Sequence, residues 1–320
     1  MRRQLLSAIM RPVRDMNGSI LGVTGSPPVI LGRKLLLSLI IFSLMFLCSC
    51  RPASEDEVRG TTIETVGSDT MVNLSLAWAE AYAKVKPEVG VSITGGGSGT
   101  GIASLINGTI DIATASRRIK REEVAAAEAN GVTPMEHVVA RDAIAVVVHP
   151  DNPVDRLTIA QVSAIYQGLI TNWSEVGGED RPIVLLSRET NSGTHVYFLQ
   201  EVIRQGDAGS RVLFSRDTLL LPSSEGISAE VRQNPNVIGY DGLGYVTHDQ
   251  KMVAIAVQPG GDYVLPSVAT ANDGSYPIAR DLYMYSAGEP MGVVADFVDW
   301  VMGSQAQAIV EELGFVPLQR

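Results

Sequence analysis

Two small-residue turns carry the groups best suited to chemistry in this sequence. The first is Gly95-Gly96-Gly97-Ser98-Gly99-Thr100-Gly101, and the second, about 90 residues later, is Arg188-Glu189-Thr190-Asn191-Ser192-Gly193-Thr194. Each follows a β-branched, strand-like stretch and precedes apolar residues at helical spacing, so each opens a helix. The first N–H groups of a helix lack intrahelical partners and, with the helix dipole, favour negative charge. Glycines in the first turn let backbone approach a ligand closely. In the second, the planar Arg188 guanidinium suits two oxygens of a tetrahedral oxyanion, while Ser192, Gly193 and Thr194 offer hydroxyls and N–H groups for the others. The chemistry these turns suggest is an oxyanion held from two sides.

Two shorter stretches join them. In Gly67-Ser68-Asp69-Thr70-Met71, Thr70 either caps the following helix or offers its hydroxyl, with the Met71 N–H, to a ligand. Ser116-Arg117 ends a strand at the same sheet edge as the glycine-rich turn, and Arg118 follows it. The glycine-rich turn is not a nucleotide P-loop, because no Lys follows its last glycine, and the acidic residue of a dinucleotide fingerprint is missing. Only His137, His149, His195 and His248 are present, without metal-ligand spacing. A Ser192/His195 pair is conceivable, but neighbouring helix-start positions rarely align as nucleophile and base, and there is no Gly-x-Ser-x-Gly elbow. No cofactor is expected.

The elements that position these turns alternate. Strands are expected at 61–66, 90–94, 110–115 and 183–187, and helices at 71–85, 101–106, 120–130, 158–166, 194–203 and 224–233. This alternation means an α/β fold with a mainly parallel sheet. Residues 138–148 are apolar for longer than one strand needs and suit a crossover between two domains. A strand-turn region follows at 237–247, a strand at 252–257 suits a return crossover, and helices at 290–302 and 304–313 close the chain.

The chain's 320 residues make two domains a fair expectation. The N-terminus stands apart: Arg33-Lys34 precedes an almost unbroken apolar run from Leu35 to Leu47, followed by Cys48-Ser49-Cys50. Such a run is too short to span a membrane and suits a signal-peptide core. Leu47-Cys48-Ser49-Cys50 resembles a bacterial lipobox, which makes residues 1–49 the signal peptide, Cys50 the lipidated first mature residue, and 50–60 a polar tether. The segment before Arg33 is either an extended signal region or the product of an early start codon. Residues 1–49 carry six of the 25 basic and one of the 35 acidic residues, leaving 19 against 34, or −15. That balance argues against nucleic acid and against a polybasic membrane patch, but not against a small anion bound by local dipoles.

Taken together, Gly67-Ser68-Asp69-Thr70, the glycine-rich turn, Asp111-Ile112-Ala113-Thr114-Ala115-Ser116-Arg117, Ser187-Arg188 through Thr194, Asn172-Trp173 and Tyr276-Pro277-Ile278-Ala279-Arg280 resemble the phosphate-binding proteins of the high-affinity phosphate ABC transporter, the PstS family. The resemblance covers nearly all of the chain from residue 61 on. It implies a two-lobed class II periplasmic-binding-protein fold, each lobe a mainly parallel sheet flanked by helices, with two crossover strands. Lobe 1 is then 61–141 plus 248–320, and lobe 2 is 142–247. It implies inorganic phosphate (dihydrogen or monohydrogen) as ligand, delivered to an ABC permease by a monomeric, lipid-anchored extracytoplasmic receptor. Thr70, the Met71 N–H, Ser98, Ser116 and Arg117 would bind from one lobe, and Arg188, Ser192, Gly193 and Thr194 from the other.

Some relatives carry an Asp after the third-strand Ser, where it accepts the ligand's proton and rejects sulfate. Here Arg117 stands there. Asp142, at the start of the crossover, is expected to supply the acceptor and to pair with Arg117, or else to serve only as a hinge ion-pair partner. Asp69 and Glu189 are further candidates. The alternatives for the whole protein are a receptor or sensor for another tetrahedral oxyanion and a secreted phosphatase.

Overall fold

The computed structural model describes residues 61–318. The expected signal peptide, lipidated Cys50 and tether lie outside them. The first strand, β1 (Thr61–Gly67), pairs in parallel with β2 (Val89–Thr94) and with β3 (Ile112–Ala115). Helices Val72–Val85 and Ser98–Ile106 connect them, the right solution for parallel neighbours that need a crossover. The strand β4 (Pro134–Val148) runs for 15 residues and belongs to both halves of the molecule. Its stretch from Pro134 to Ala143 pairs with β11 (Ala279–Ala287), and its stretch from Ile144 to Val148 pairs with β8 (Val237–Gly242). This accounts for the long apolar run of the sequence: a strand crossing two cores is buried along most of its length.

The second half adds β5 (Arg156–Thr158), β6 (Val184–Arg188) and β7 (Leu219–Leu221), together with β9 (Lys251–Met252) and β10 (Ala254–Ala256). The main sheet runs β2-β1-β3-β11-β4-β8-β6-β7, with β9 also on β4. Its outer pairs are parallel, while β4 and β11 run antiparallel to their neighbours. The cores divide accordingly. Ile63, Leu74, Trp78, Phe297 and Val310 pack together in the first half, whereas Ile144, Tyr166, Trp173, Phe198 and Tyr240 pack in the second. The terminal helices Gly292–Val301 and Ser304–Glu312 close the first core, and the Trp78 indole N–H donates to Ala306 O at 3.0 Å.

The return crossover differs from expectation. The strand expected at 252–257 stays in the second half, where β10 pairs in parallel with β5 and Val253 and Ile255 join the core of Tyr166 and Tyr240. The chain comes back along β11 instead, and Ile144 N–H donates to Ile278 O where the two crossovers run side by side.

Candidate anion-binding site

Four turns at the ends of these strands meet between the two halves. After β1, a 3-10 turn (Asp69–Met71) presents Thr70, buried and with its Oγ1 2.8 Å from Thr194 Oγ1. The Met71 N–H does not face this contact; it donates to Ser68 O at 3.0 Å and closes the turn. After β2, Gly96 and Gly97 take φ of 123° and 96°, a left-handed region that disfavours other residues. The helix then starts at Ser98, three residues earlier than expected. Gly101 therefore lies inside it, against β1, where a Cβ would come within 2.6 Å of Gly67 Cα. Ser98 is fully buried, accepts the Ser116 N–H at 3.0 Å and lies 3.3 Å from Ser116 Oγ.

From the other half, Ser192 caps helix Gly193–Phe198 by accepting the N–H of Thr194 at 3.2 Å and of His195 at 3.5 Å. Gly193 faces the two serines so closely that a Cβ would sit 2.5 Å from Ser116 Oγ, and closer still to Ser98 Oγ. Asn191 fastens the two sequence-marked turns together: its carbonyl accepts the Gly99 N–H at 3.0 Å and its amide donates to Gly96 O at 2.8 Å. Thr70, Ser98, Ser116, Gly193 and Thr194 are thus brought together as expected.

The cations are arranged differently. Arg188 is buried, but its guanidinium turns to Leu221 O, Pro222 O, Ser224 Oγ and the Asp69 carboxylate, none of them a hydroxyl of this cluster. Arg117 pairs with Glu123 at 2.6 Å, and so not with Asp142. The cation among the hydroxyls is Arg280 of β11, a residue that sequence reasoning noted in a motif without giving it a role. Its Nη2 donates to Thr194 Oγ1 at 2.9 Å and, at 3.5 Å, to Thr70 Oγ1; its Nη1 donates to Ser116 O at 2.8 Å. Asp142, its cross-strand neighbour, takes Nη2 at 2.9 Å and Nε at 3.3 Å on one oxygen. The other oxygen accepts the Leu243 N–H at 3.2 Å.

Burial pushes the Asp142 carboxyl above its ordinary range, with the Arg280 charge and the Leu243 N–H pulling the other way. Burial also pushes Asp241 up to about 7 against the pull of Arg188, Ser224 and the Gly242 N–H. Gly242 is required for space, since a Cβ there would lie 2.9 Å from Asp142 Oδ2. His195 does not meet Ser192 through its ring: Nδ1 is 3.0 Å from Ser187 Oγ, the ring stacks on Phe214, and burial lowers its pKa. Among the described residues, no group of His, Cys, Asp and Glu is arranged to hold a metal ion.

A buried cation, paired hydroxyls and helix N-termini thus lie between two halves joined by β4 and β11. Residues 52–305 match the PBP superfamily domain. The phosphate-binding protein PstS of Pseudomonas aeruginosa is 34% identical over 273 residues, covering 80% of this chain and 83% of that protein. The chain belongs to the PstS family. Protein SphX of Synechococcus elongatus is 32% identical, with 83% of this chain and 80% of that protein covered. Among solved structures, a putative phosphate ABC transporter substrate-binding protein from Clostridium perfringens, with bound phosphate, superposes with a TM-score of 0.72 at 30% identity. That match covers 81% of this chain and all of the other. Two-lobed architecture and family membership therefore agree with the resemblance in the sequence.

Proposed function

We propose that this protein is the extracytoplasmic receptor of a phosphate ABC transporter, binding inorganic phosphate between its two halves and releasing it to a membrane permease. The observation that carries this reading is the meeting of the Thr70 and Thr194 hydroxyls on Arg280 across the line between the halves, with the paired Ser98 and Ser116 hydroxyls facing Gly193 beside them. On binding, these hydroxyls exchange their partners in the cleft for phosphate oxygens, with Gly193 and Thr194 N–H groups adding the favourable end of a helix. Arg280 supplies the charge, and Asp142, sharing Nη2 of that guanidinium, accepts the ligand's proton and so discriminates against sulfate. Binding is non-covalent; the Ser192/His195 geometry gives no support to a phosphatase.

In this reading the lobes are 61–143 with 279–318, and 144–278, and they hinge where β4 and β11 run together. The receptor acts as a monomer, anchored by a lipid on Cys50. Among the described residues no helix is long and apolar enough to cross a membrane. Thermal unfolding with added ligand tests the function. Phosphate at a hundred times its Kd is expected to stabilise the protein by about 2.7 kcal/mol, and sulfate at equal concentration to do far less. Equal shifts with both anions would favour the broader oxyanion receptor. Labelled palmitate incorporated into wild type but not Cys50→Ser tests the anchor.

A further inference from the structure

We infer that Asp69 is the clasp that holds the two halves shut around the ligand, and that Arg188 serves this clasp instead of gripping the anion. This rests on the reading of the cleft as a phosphate site. Asp69 comes from the turn after β1, in the first half. One of its carboxylate oxygens takes two donors from the second half: Arg188 Nη2 at 2.9 Å and the Ser224 backbone N–H at 2.9 Å. Ser224 is the first residue of helix Ser224–Gln233, so the carboxylate meets a helix N-terminus and a guanidinium together. The Tyr245 hydroxyl donates to Asp69 O at 3.0 Å and holds the turn in place.

The second half has prepared this contact. Arg188 is fixed by Pro222 O and Ser224 Oγ, both at 2.8 Å, and Ser224 Oγ donates onward to Asp241 at 2.8 Å. A guanidinium with its donors so committed is a rigid receptor for one carboxylate. The carboxylate it receives adjoins Thr70 in the chain, whose hydroxyl meets Thr194 across the cleft. Closing the halves on phosphate therefore seats Thr70 and Asp69 in one movement. The clasp forms only in the closed state, so its loss acts on ligand escape more than on encounter.

Five forms of the protein test this by stopped-flow and equilibrium binding of inorganic phosphate: wild type, Asp69→Ala, Asp69→Asn, Arg188→Ala and the Asp69→Ala/Arg188→Ala double variant. Asp69→Ala is expected to raise Kd by about 10- to 100-fold, the range for a charge-assisted pair, mostly through faster dissociation. Association should stay within about threefold, and Asp69→Asn, which keeps an acceptor, should fall between Ala and wild type. Because the pair acts as one unit, Arg188→Ala should add under about threefold on the Asp69→Ala background. The clasp is overturned if Asp69→Ala leaves Kd within about threefold or tightens it. It is also overturned if Arg188→Ala costs as much with Asp69 absent as with it present, the mark of an arginine that grips phosphate. A wild type that binds no phosphate overturns the reading of the cleft itself, and the clasp with it.

Discussion

Replacing Gly193 by Ala sets local stability against closure. Gly193 opens a helix and its φ is not in the left-handed region, so within its own half Ala is the better residue by up to about 1 kcal/mol. Across the cleft the same methyl has no room. It would lie 2.5 Å from Ser116 Oγ, and closer to Ser98 Oγ, and both serines are anchored in the first half by the Ser116 N–H bond. To relieve this the halves must part, loosening Thr70–Thr194, Arg280–Thr194 and the two bonds of Asn191. At about 1 kcal/mol for each net hydrogen bond, losing two to four of them weakens closed-state binding by roughly 30- to 1,000-fold. Titration calorimetry gives the phosphate Kd and scanning calorimetry the melting temperature of the ligand-free protein. The expected result is a large loss of affinity with a melting temperature unchanged or slightly raised. A Kd within about threefold of wild type would refute the reasoning that Gly193 must close onto the two serines.

Removing Arg280 with Ala leaves the buried Asp142 carboxylate without its cation, an expected loss of about 3–5 kcal/mol in urea unfolding. The Arg280→Ala/Asp142→Ala pair should regain much of that stability yet still bind no phosphate, separating the two roles of the arginine. Asp142→Asn should narrow the phosphate-to-sulfate preference in competition titrations; unchanged discrimination would remove Asp142 as the proton acceptor. Asp241, held at about 7 against an ordinary 3.8, binds a proton in the folded protein that the unfolded chain releases. Its contribution is therefore most favourable below about pH 4 and is lost as the pH rises through about 7. Unfolding free energy should fall by about 2–3 kcal/mol from pH 5 to pH 8 through this group. Asp241→Asn should flatten that slope, and an identical slope in both proteins would exclude it.

The two turns were legible because glycines, hydroxyls and β-branched strands leave local signals. So was β4, whose apolar run is too long for a single core. Arg280 is not legible as a ligand-site residue because β11 carries no clear strand signal in the sequence. Its Arg280-Asp281 pair interrupts the apolar pattern, and only the fold shows that both charges are matched, by Asp142 and Arg141. The same missing signal puts the expected return crossover at 252–257. Arg188 misled for a different reason: its position after β6 suits an anion, but Asp69, more than a hundred residues earlier, takes its charge. That contact depends on how two halves close, and short-range pattern carries no record of it. Likewise Arg117, placed beside Ser116, is taken by Glu123, six residues on, which the helix Arg121–Ala129 brings back to it.

The most direct measurement is titration calorimetry of the chain from residue 51 onward against phosphate, sulfate, arsenate and molybdate. One site, saturated by phosphate, with sulfate much weaker and with binding abolished by Arg280→Ala/Asp142→Ala, is the expected result. No heat of binding with phosphate, or a sulfate isotherm as tight as the phosphate one, would contradict the assignment of this cleft to phosphate.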